Sequence, residues 1–547
     1  MVPGADDLDD LDDLIGPVVY EEWLGAPALS YPNRPRTVVD LLDWAVRRFG
    51  PRTYLTTPDG RNVSFADFAE LVEGAVEGLA AEGVGPGDRL AVVGHNCLDL
   101  AVALFACARS GAVLVGLSTG AAPEQWAYLL EHSQATLALA QPAFVGSLGV
   151  AAERADLPAD RARPLGDLLT GRRRPWSYTA DQRPDEAAAY AVVYTSGTTG
   201  RPKASRVVHR ASVHSGLSYA RALGLTGDDV TTVVFSLTYI SAMHAHLLPM
   251  LAVGGRCVLV ADASPVDLVG IIARERASWV YLVPALWQRL LRVRALASPG
   301  LDHLRLGGFG GAPMPLAAIA ELRRRLPEMA LRDIYGLSET HSPATMLFDE
   351  EFPAKPGSVG RPLPCMEAQV VDELGAVVPA GEAGELVLRG SLVTTGYDGD
   401  TGATAAAICE GWLRSGDLAR IDADGYVTIL DRTKDMINRG GHKVFSAEVE
   451  RVLREHPAVD DAAVVGVPDP VAGEAVAAFV VIVITGDETG DDGPLVDAAV
   501  LRRWVREHLA DYAAPRWVHL VEDLPRNATG KVAKPELRRR AAALAER

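Results

Sequence analysis

Residues 194–203 read Tyr-Thr-Ser-Gly-Thr-Thr-Gly-Arg-Pro-Lys, and this stretch decides how the rest of the chain is interpreted. The residues just before it, Ala189–Val193, predict a short buried strand. Glycines let a backbone approach a ligand closely, and hydroxyl groups, successive N–H groups and a lysine can cradle an anion. It is not a Walker A loop, because no Ser or Thr directly follows the lysine. We therefore predict a polyphosphate-binding loop made by Thr195, Ser196, Gly197, Thr198, Thr199, Gly200 and Lys203.

The composition predicts a globular protein with more than one domain. The chain has 547 residues, of which 48% are hydrophobic and 23% are charged, and one core rarely extends over such a length. A net charge of −18 argues against nucleic acid or an anionic membrane surface as a main partner. The N-terminus is acidic rather than basic and then apolar, so it does not resemble a signal peptide. No apolar run reaches the roughly 18 residues of a transmembrane helix.

The cysteines and lysines are few, and their positions are informative. Five cysteines lie far apart without a C-x-x-C pair, which predicts a reduced, cytoplasmic setting and no cysteine metal site. Only six lysines occur, while arginine carries most of the positive charge. Lysines kept at motif positions indicate sites that need a compact ammonium group rather than a planar guanidinium.

The order of elements predicts the fold class. Strands alternate with helices through most of the chain, which is typical of a parallel sheet with helices on its faces. Near residue 425 the pattern changes to antiparallel strands with a few helices, which predicts a small α+β domain. We therefore predict an α/β protein with a large N-terminal domain of parallel or mixed sheets, followed by a smaller α+β domain.

The phosphate loop resembles the signature of the adenylate-forming superfamily, which contains acyl- and aryl-CoA synthetases, luciferases and peptide-synthetase adenylation domains. Further motifs that resemble this superfamily follow in the family order, over essentially the whole chain after an acidic tail. The resemblance implies a domain boundary beside Asp431 and a mobile C-terminal domain. We therefore expect a tail at residues 1–20, an adenylation domain at 21–430 and a lid domain at 431–547.

Two motifs resemble the adenine and metal segments of the family. Gly310-Gly311-Ala312-Pro313 resembles the segment that runs along the adenine, and residues 333–340, Asp-Ile-Tyr-Gly-Leu-Ser-Glu-Thr, resemble the Tyr-Gly-x-Thr-Glu pattern. The resemblance implies that Tyr335 stacks on adenine, that Ser338 contacts the α-phosphate and that Glu339 binds Mg²⁺. The nucleotide-binding residues implied here are Gly311, Ala312, Pro313, Asp333, Tyr335 and Gly336.

A third motif resembles the lining of the acid pocket. In Phe235–Ile240, Tyr239 stands where the family usually has a histidine. Residues 231–251 contain no Asp or Glu, whereas domains that select amino acids usually place a carboxylate there, so we expect an acid without an amine. Small residues near Phe309 are expected to leave volume for the acid. The predicted pocket residues are Tyr239, Gly308, Phe309, Gly310 and Leu337.

The C-terminal motifs imply the remaining site residues. By resemblance, Asp417 binds the ribose hydroxyls, Arg432 reaches the ribose or a phosphate, and Lys434 is the hinge. Gly440 and Gly441 would border the tunnel for the thiol arm. Lys531, which ends Leu524–Lys531, would bridge the acid carboxylate and the ATP phosphates, so that the implied catalytic residues are Lys531, Glu339 and Ser338. Two residues depart from the usual pattern, because Asp431 replaces a glycine and Ser446 replaces a proline.

The resemblance implies an acid–thiol ligase that uses ATP, Mg²⁺ and CoA. The acid carboxylate would attack the α-phosphorus of ATP and release pyrophosphate, and the thiol of CoA would then displace AMP. Two alternatives remain open: adenylation that loads a carrier protein or serves another chemistry such as diazo formation, and a non-catalytic ligand-binding relative. The sequence leaves open whether the acid is fatty, aromatic or polycyclic, and it does not reveal the oligomeric state.

Overall fold

The computed structural model describes residues 11–166, 169, 171–195, 202–297, 300–482, 496–526 and 532–545. Contacts divide the chain into two compact units. Unit 1 comprises residues 1–368 and 387–415, and unit 2 comprises residues 369–386 and 416–547. In the described part, no helix is both long and apolar enough to cross a bilayer.

Sixteen α-helices are present in the described ranges, and several begin at a side-chain N-cap. The Ser64 side chain accepts a hydrogen bond from the Asp67 N–H at the start of α3, and Thr37 forms a capping box with Asp40 at the start of α2. The helices are α1 Leu11–Ile15, α2 Val38–Phe49, α3 Phe65–Ala81, α4 Leu98–Ser110, α5 Pro123–Ser133, α6 Val145–Arg154, α7 His209–Leu223, α8 Ile240–Ala242, α9 Leu248–Val253, α10 Pro265–Glu275, α11 Pro284–Leu291, α12 Leu316–Arg325, α13 Thr401–Ala407, α14 Ser446–Arg454, α15 Ala498–His508 and α16 Lys534–Ala545.

Unit 1 begins with a hairpin of β1 Val19–Trp23 and β2 Ala26–Ser30, and it contains a six-stranded sheet. That sheet has the order β10-β9-β6-β5-β7-β8 and is parallel except for the antiparallel pair β9–β10. Trp126 and Leu130 of α5 and Leu148 of α6 pack on one of its faces. Its strands are β5 Arg89–Val93, β6 Val113–Leu117, β7 Leu137–Ala140, β8 Ala162–Pro164, β9 Ala189–Thr195 and β10 Lys203–Val208.

A nine-stranded sheet forms the other large layer of unit 1. Its order is β17-β16-β15-β14-β13-β11-β12-β3-β4, with parallel pairing from β3 to β15 and antiparallel strands at both ends. Its strands are β3 Thr53–Thr56, β4 Asn62–Ser64, β11 Val230–Val233, β12 Arg256–Leu259, β13 Trp279–Leu282, β14 Leu306–Gly310, β15 Ala330–Tyr335, β16 Thr345–Phe348 and β17 Arg361–Pro362.

Two further sheets complete the fold. One has the order β18-β19-β21-β20 with β22 beside β21. The other, in unit 2, has the order β24-β23-β26-β25 with β27 beside β26, and it is covered by α14 and α15 on one face and by α16 on the other. The strands are β18 Met366–Val371, β19 Gly384–Gly390, β20 Ile408–Cys409, β21 Trp412–Ile421, β22 Val427–Arg432, β23 Ile437–Arg439, β24 His442–Val444, β25 Val459–Asp469, β26 Gly473–Ile482 and β27 Trp517–Leu520.

Helix α7 carries two of five fully buried histidines in unit 1. The His214 Nε2 atom lies 2.9 Å from Ser30 Oγ of the N-terminal hairpin, and the His244 Nε2 atom lies 3.0 Å from Ser212 Oγ of α7. His214 and His244 therefore each have a polar partner although both are buried. The five are His209, His214, His244, His246 and His341.

The predicted fold class is confirmed: a mixed α/β unit with parallel and mixed sheets is joined to a smaller α+β unit. All five cysteines are free thiols. Residues 11–15 of the predicted acidic tail form α1, and Ile15 is buried. Residues 1–10 lie outside the described ranges, and the predicted domain limits at residues 20 and 430 remain predictions.

Candidate active site

The predicted adenine and acid segments lie at one edge of the nine-stranded sheet. Strands β14 and β15 pair in parallel, with Leu306 beside Ala330 and Gly310 beside Ile334. Their C-terminal ends therefore share an edge, and the segments Gly311–Pro313 and Gly336–Glu339 follow directly. Phe235–Tyr239 follows β11 at the same edge. Open α/β sheets bind ligands at the C-terminal ends of their strands. The topology therefore brings the predicted adenine and acid segments to the edge of the sheet where a ligand is expected.

The predicted phosphate loop joins an antiparallel hairpin. Thr195 ends β9, Lys203 begins β10, and the two residues pair across the ladder. The Thr195 hydroxyl donates to the Lys203 carbonyl oxygen at 3.4 Å. Lys203 Nζ lies 5.0 Å from the centroid of the Tyr397 ring. Ser196, Gly197, Thr198, Thr199 and Gly200 lie outside the described residues, so their roles remain predictions.

Glu339 stands on a tight turn after β15. Residues Ser338–Thr340 form one turn of 3₁₀ helix, and the Leu337 N–H donates to Thr340 Oγ1 at 2.9 Å. His341 and Ser342 follow with φ of 53° and 87°, a conformation that non-glycine residues adopt mainly where the surroundings impose it. A strained turn of this kind is typical of sites that must hold a side chain in one place.

Two contacts fix this turn against its surroundings. The Val208 N–H at the end of β10 donates to His341 Nε2 at 3.0 Å, and His341 Nδ1 donates to the Leu392 carbonyl oxygen at 3.0 Å. A Cβ atom at Gly336 would lie 1.4 Å from the Ser342 carbonyl oxygen, so only glycine fits there. The phosphate hairpin and the Glu339 turn are therefore tied together within unit 1.

The Glu339 carboxylate is held through one of its two oxygens. The Tyr397 hydroxyl donates to Oε1 at 2.8 Å. Within the described ranges, no hydrogen bond or ion pair involves Oε2, and no cluster of three or more His, Cys, Asp or Glu residues could hold a metal there. Mg²⁺ is often bound by one carboxylate together with substrate phosphates. The arrangement at Glu339 fits that mode.

Asp333 is a half-buried residue at the same sheet edge. It lies on β15, where it pairs with Phe309 of β14 and Leu347 of β16. Burial raises the pKa of Asp333 to about 8. At neutral pH this carboxyl is therefore mostly protonated, and it can both donate and accept a hydrogen bond.

The segment predicted to line the acid pocket packs against aromatic side chains. A Cβ atom at Gly308 would lie 2.3 Å from the Trp279 ring, and Trp287 Nε1 donates to the Gly308 carbonyl oxygen at 2.8 Å. The absence of a side chain at Gly308 thus makes room for the Trp279 ring, and a role of Gly308 in the acid pocket remains a prediction. Phe309 is fully buried. Gly310 is crowded by the Ile334 carbonyl oxygen, and Leu337 is half-buried.

Tyr239 lies beside a small apolar cavity in unit 1. The residue is half-buried and precedes α8 and a turn of π-helix at Met243–Leu247. The cavity lies between α4, the six-stranded sheet and this segment, and Phe309 does not line it. Its lining includes Leu104, Leu114, Val192, Val207, Leu237, Tyr239 and Met243.

In unit 2, two predicted ribose-binding residues form an ion pair with each other. Asp417 on β21 pairs with Arg432 on β22, and Arg432 Nε lies 3.2 Å from Asp417 Oδ1. The Asp417 side chain is buried, whereas Arg432 is exposed. Lys434 follows β22 as an exposed residue, and its carbonyl oxygen accepts from Arg538 at 3.1 Å. Burial and the neighbouring Arg432 lower the pKa of Lys434.

The two departures from the family pattern contact each other. Asp431 accepts hydrogen bonds from the backbone N–H and the hydroxyl of Ser446, the latter at 3.1 Å. Lys534 Nζ lies 2.8 Å from both Ser446 Oγ and Glu450 Oε1. A proline at position 446 would have no N–H to donate, so aspartate at 431 and serine at 446 form a matched pair.

Gly440 and Gly441 form the two-residue turn between β23 and β24. Their φ angles are 60° and 88°, the values of a hairpin turn that glycine adopts without strain. Among the described residues, no atom lies within 4 Å of a Cβ built on either glycine. Backbone conformation therefore explains these glycines, and a role in thiol passage remains a prediction. Lys531 lies outside the described residues.

Tyr397 contacts Glu339 and Lys203, and the sequence analysis does not identify it as a site residue. It lies in Thr394-Thr395-Gly396-Tyr397-Asp398, a loop rich in small and polar residues. A single aromatic residue in such a loop is the only available signal, and it does not indicate which carboxylate the residue contacts.

Comparison with known proteins identifies the class. Residues 42–398 match the family of AMP-binding enzymes, and residues 448–531 match the AMP-binding enzyme C-terminal domain. The chain belongs to the family of AMP-binding enzymes, as the motifs predict.

The relatives are CoA ligases. A feruloyl-CoA synthase from an Amycolatopsis species is 33% identical over 506 residues, which cover 91% of this chain and 98% of the relative. A methyl-dioxo-octahydroindenyl-propanoyl:CoA ligase from Mycobacterium tuberculosis is 34% identical and covers 92% and 99%. An o-succinylbenzoate CoA synthetase from Bacillus subtilis, solved with ATP and a magnesium ion, has a TM-score of 0.80 at 29% identity and covers 91% and 98%. The predicted enzyme class, an AMP-forming acid–thiol ligase, is confirmed at this level.

Proposed function

We propose that the protein activates a carboxylic acid with ATP and transfers the acyl group to the thiol of CoA. The observation that carries this proposal is the turn at Glu339, which follows Tyr335 and whose Oε2 atom has no hydrogen bond or ion pair with any described residue, while Oε1 is held by Tyr397. The CoA ligase relatives, each aligned over nine-tenths of this chain, support it.

The residues have distinct proposed tasks in the first step. Tyr335 stacks on the adenine, Asp333 exchanges hydrogen bonds near it, and Ser338 contacts the α-phosphate. Lys203 and the hairpin loop hold the polyphosphate by charge and backbone N–H groups. An oxygen of the acid attacks the α-phosphorus, and the bond to pyrophosphate breaks. Lys531 offsets the negative charge that builds during this transfer.

The second step needs a thiol and a group that leaves. The CoA sulfur attacks the acyl carbonyl carbon, and AMP departs with the electrons of the acyl–phosphate bond. Asp417 and Arg432 hold the ribose, Gly440 and Gly441 border the path of the thiol arm, and Lys434 is the hinge at which the predicted lid domain, residues 431–547, reorients. Of these, the structure shows the Asp417–Arg432 ion pair and the glycine turn.

Mg²⁺ is part of the proposal. Glu339 Oε2 would supply the protein ligand, and substrate phosphates would supply the others. Bound there, the ion offsets charge on the phosphate oxygens. The free cysteines are compatible with a reducing, cytoplasmic setting, which remains a prediction.

We propose an aryl or fused-ring carboxylic acid as the substrate. The two relatives are named for feruloyl and octahydroindenyl-propanoyl groups, which carry rings. Residues 231–251 of this chain lack Asp and Glu, so no carboxylate is present there to pair an ammonium group. Phe235 and Tyr281, with ring centroids 5.1 Å apart, supply aromatic surface at the strand ends.

A panel of acids tests the proposal. Pyrophosphate release would be measured with cinnamic, benzoic, fused-ring, fatty and amino acids, and AMP and acyl-CoA would be measured separately with and without CoA. We expect ring-containing acids to release pyrophosphate and to form thioester only when CoA is present. Adenylate formation without thioester would favour a carrier protein or another acceptor, and pyrophosphate release with none of the acids would favour a non-catalytic relative.

A further inference from the structure

Tyr397 makes two different contacts with the site at once. Its hydroxyl donates to Glu339 Oε1 at 2.8 Å, and its ring lies 5.0 Å from Lys203 Nζ. A cation within about 6 Å of an aromatic centroid is attracted to the ring face. One side chain therefore touches both the carboxylate and the ammonium that we assign to the metal and the phosphates.

The backbone around Tyr397 is fixed on both sides. Residues 394–398, here called the 394–398 segment, lie along β10, with Tyr397 bridged to Ser205. The Arg206 N–H donates to the Gly396 carbonyl oxygen at 3.0 Å, and the Asp398 N–H donates to the Ala204 carbonyl oxygen at 2.8 Å. The 394–398 segment thus lies beside β10 as an irregular third strand next to the β9–β10 hairpin.

The same segment also holds the Glu339 turn and is anchored by charge. The Thr394 N–H donates to the Glu339 carbonyl oxygen at 2.8 Å. Asp398 forms ion pairs with Arg89 at 2.9 Å and with Arg206 at 3.2 Å. The main chain and the side chain of Glu339 are therefore both held by residues 394–398.

We propose that Tyr397 is a positioning residue that holds Glu339 and Lys203 in the geometry needed to bind a magnesium–nucleotide complex. This inference rests on the proposed function. The Tyr397 hydroxyl donates to Oε1 of the Glu339 carboxylate. With Oε1 occupied, Oε2 is the oxygen presented to a cation.

The experiment measures binding of α,β-methylene-ATP to the full chain by calorimetry, at low and at saturating magnesium. Tyr397→Phe removes the hydroxyl but keeps the ring, so we expect it to weaken magnesium-dependent binding about 10- to 100-fold, as outer contacts to metal ligands do. Binding without magnesium should not change. Tyr397→Leu also removes the ring, so it should weaken binding in the absence of magnesium as well.

A matched control and a double variant separate this role from a structural one. Tyr178 donates to Asp40 at 2.7 Å, so Tyr178→Phe removes the same kind of bond away from the site and should leave nucleotide binding unchanged. In a Glu339→Ala background, Tyr397→Phe should change magnesium-dependent binding by less than about twofold, because its partner is already absent.

Two results would overturn the inference while leaving the proposed function intact: unchanged magnesium dependence in Tyr397→Phe, or equal additive losses in the two backgrounds. Absence of any magnesium-dependent nucleotide binding by the unaltered protein would overturn the proposed function and this inference with it.

Discussion

The predicted nucleotide-binding groups are held differently in the two units. In unit 1, Glu339 is oriented by Tyr397, a residue that is distant in sequence, and among the described residues no hydrogen bond or ion pair involves Glu339 Oε2. In unit 2, Asp417 and Arg432 form an ion pair with each other. Under the proposed function, the first arrangement can accept a cation directly, whereas the second would exchange an internal ion pair for contacts with ribose. We therefore expect substitutions in unit 1 to affect chemistry, and substitutions in unit 2 to affect binding and the order of steps.

The largest effect is expected for Glu339→Ala, which removes the proposed metal ligand. Metal stabilisation of phosphate charge contributes several kcal/mol, so adenylate formation should fall roughly a thousandfold. Single-turnover pyrophosphate release measures this rate. Glu131→Ala, at an exposed helix position, is the control. A Glu339→Ala protein with an unchanged rate and magnesium dependence would show that unit 1 holds no such ligand.

The next effect separates the two half-reactions. Lys531→Ala should lower adenylate formation about 100- to 1,000-fold, as the loss of one preorganised donor does, and should still convert supplied acyl-adenylate to thioester. Lys434→Pro should form adenylate but fail in thioester formation, because proline restricts φ at the hinge.

Both half-reactions are measured separately for each lysine variant. Lys443→Ala, at an exposed ion pair with Glu373, is the control for loss of a lysine in unit 2. If Lys531→Ala and Lys434→Pro lose the same half-reaction, the assignment of separate tasks to these lysines is wrong.

A smaller effect is expected for Asp417→Asn. A hydrogen bond to a charged group contributes about 1.5–3 kcal/mol, so the KM for ATP should rise about 10- to 100-fold while kcat changes little. Initial rates over a range of ATP concentrations measure the two constants. Asp424→Asn, in the exposed turn between β21 and β22, is the control. A fall in kcat at constant KM would place Asp417 in the chemical step and remove the contrast between the units.

The smallest effect concerns Asp333 and depends on pH. Its pKa is about 8 in the folded protein and near 3.9 in an unfolded chain. A raised carboxyl pKa stabilises the fold below the unfolded value, and this contribution is lost as pH rises towards 8. Asp333→Asn should therefore flatten the stability profile between about pH 4 and pH 8. Denaturant unfolding at several pH values measures it, and equal slopes for both proteins would contradict the assignment.

Much of the fold could be predicted because the periodicity of apolar residues and the helix-capping residues indicate the same helices and strands along the chain. The apolar run at Arg89–Val93 forms a strand, the helical spacing at Leu98–Ser110 forms a helix, and Ser64, a residue type suited to an N-cap, caps α3. The sequence does not indicate strand β8, Ala162–Pro164, because its residues lack an apolar pattern and it pairs at a sheet edge. Edge strands depend on tertiary pairing more than on local sequence.

Candidate site residues can be identified from the sequence where they belong to a local motif. They cannot be identified where their contacts depend on packing between distant segments. The motifs single out Lys203 and Glu339, which lie on an antiparallel hairpin and on a 3₁₀ turn, and their roles remain predictions. The contact of Tyr397 with Glu339 spans 58 residues along the chain, so no local pattern could reveal it. The packing at Gly308 is hidden for the same reason, because the Trp279 ring that lies against it comes from a neighbouring strand.

The buried histidines of unit 1 determine how the protein exchanges protons when it unfolds. Burial lowers the pKa of His209, His246 and His341 to about 3, and it also lowers the pKa of His214 and His244. A histidine in an unfolded chain has a pKa near 6.5. Below that pH, the unfolded chain therefore binds protons at these histidines, whereas the folded unit does not. Each such proton makes stability fall by about 1.4 kcal/mol per pH unit. Acid therefore favours the unfolded state of unit 1, because these histidines must release their bound protons when the unit refolds.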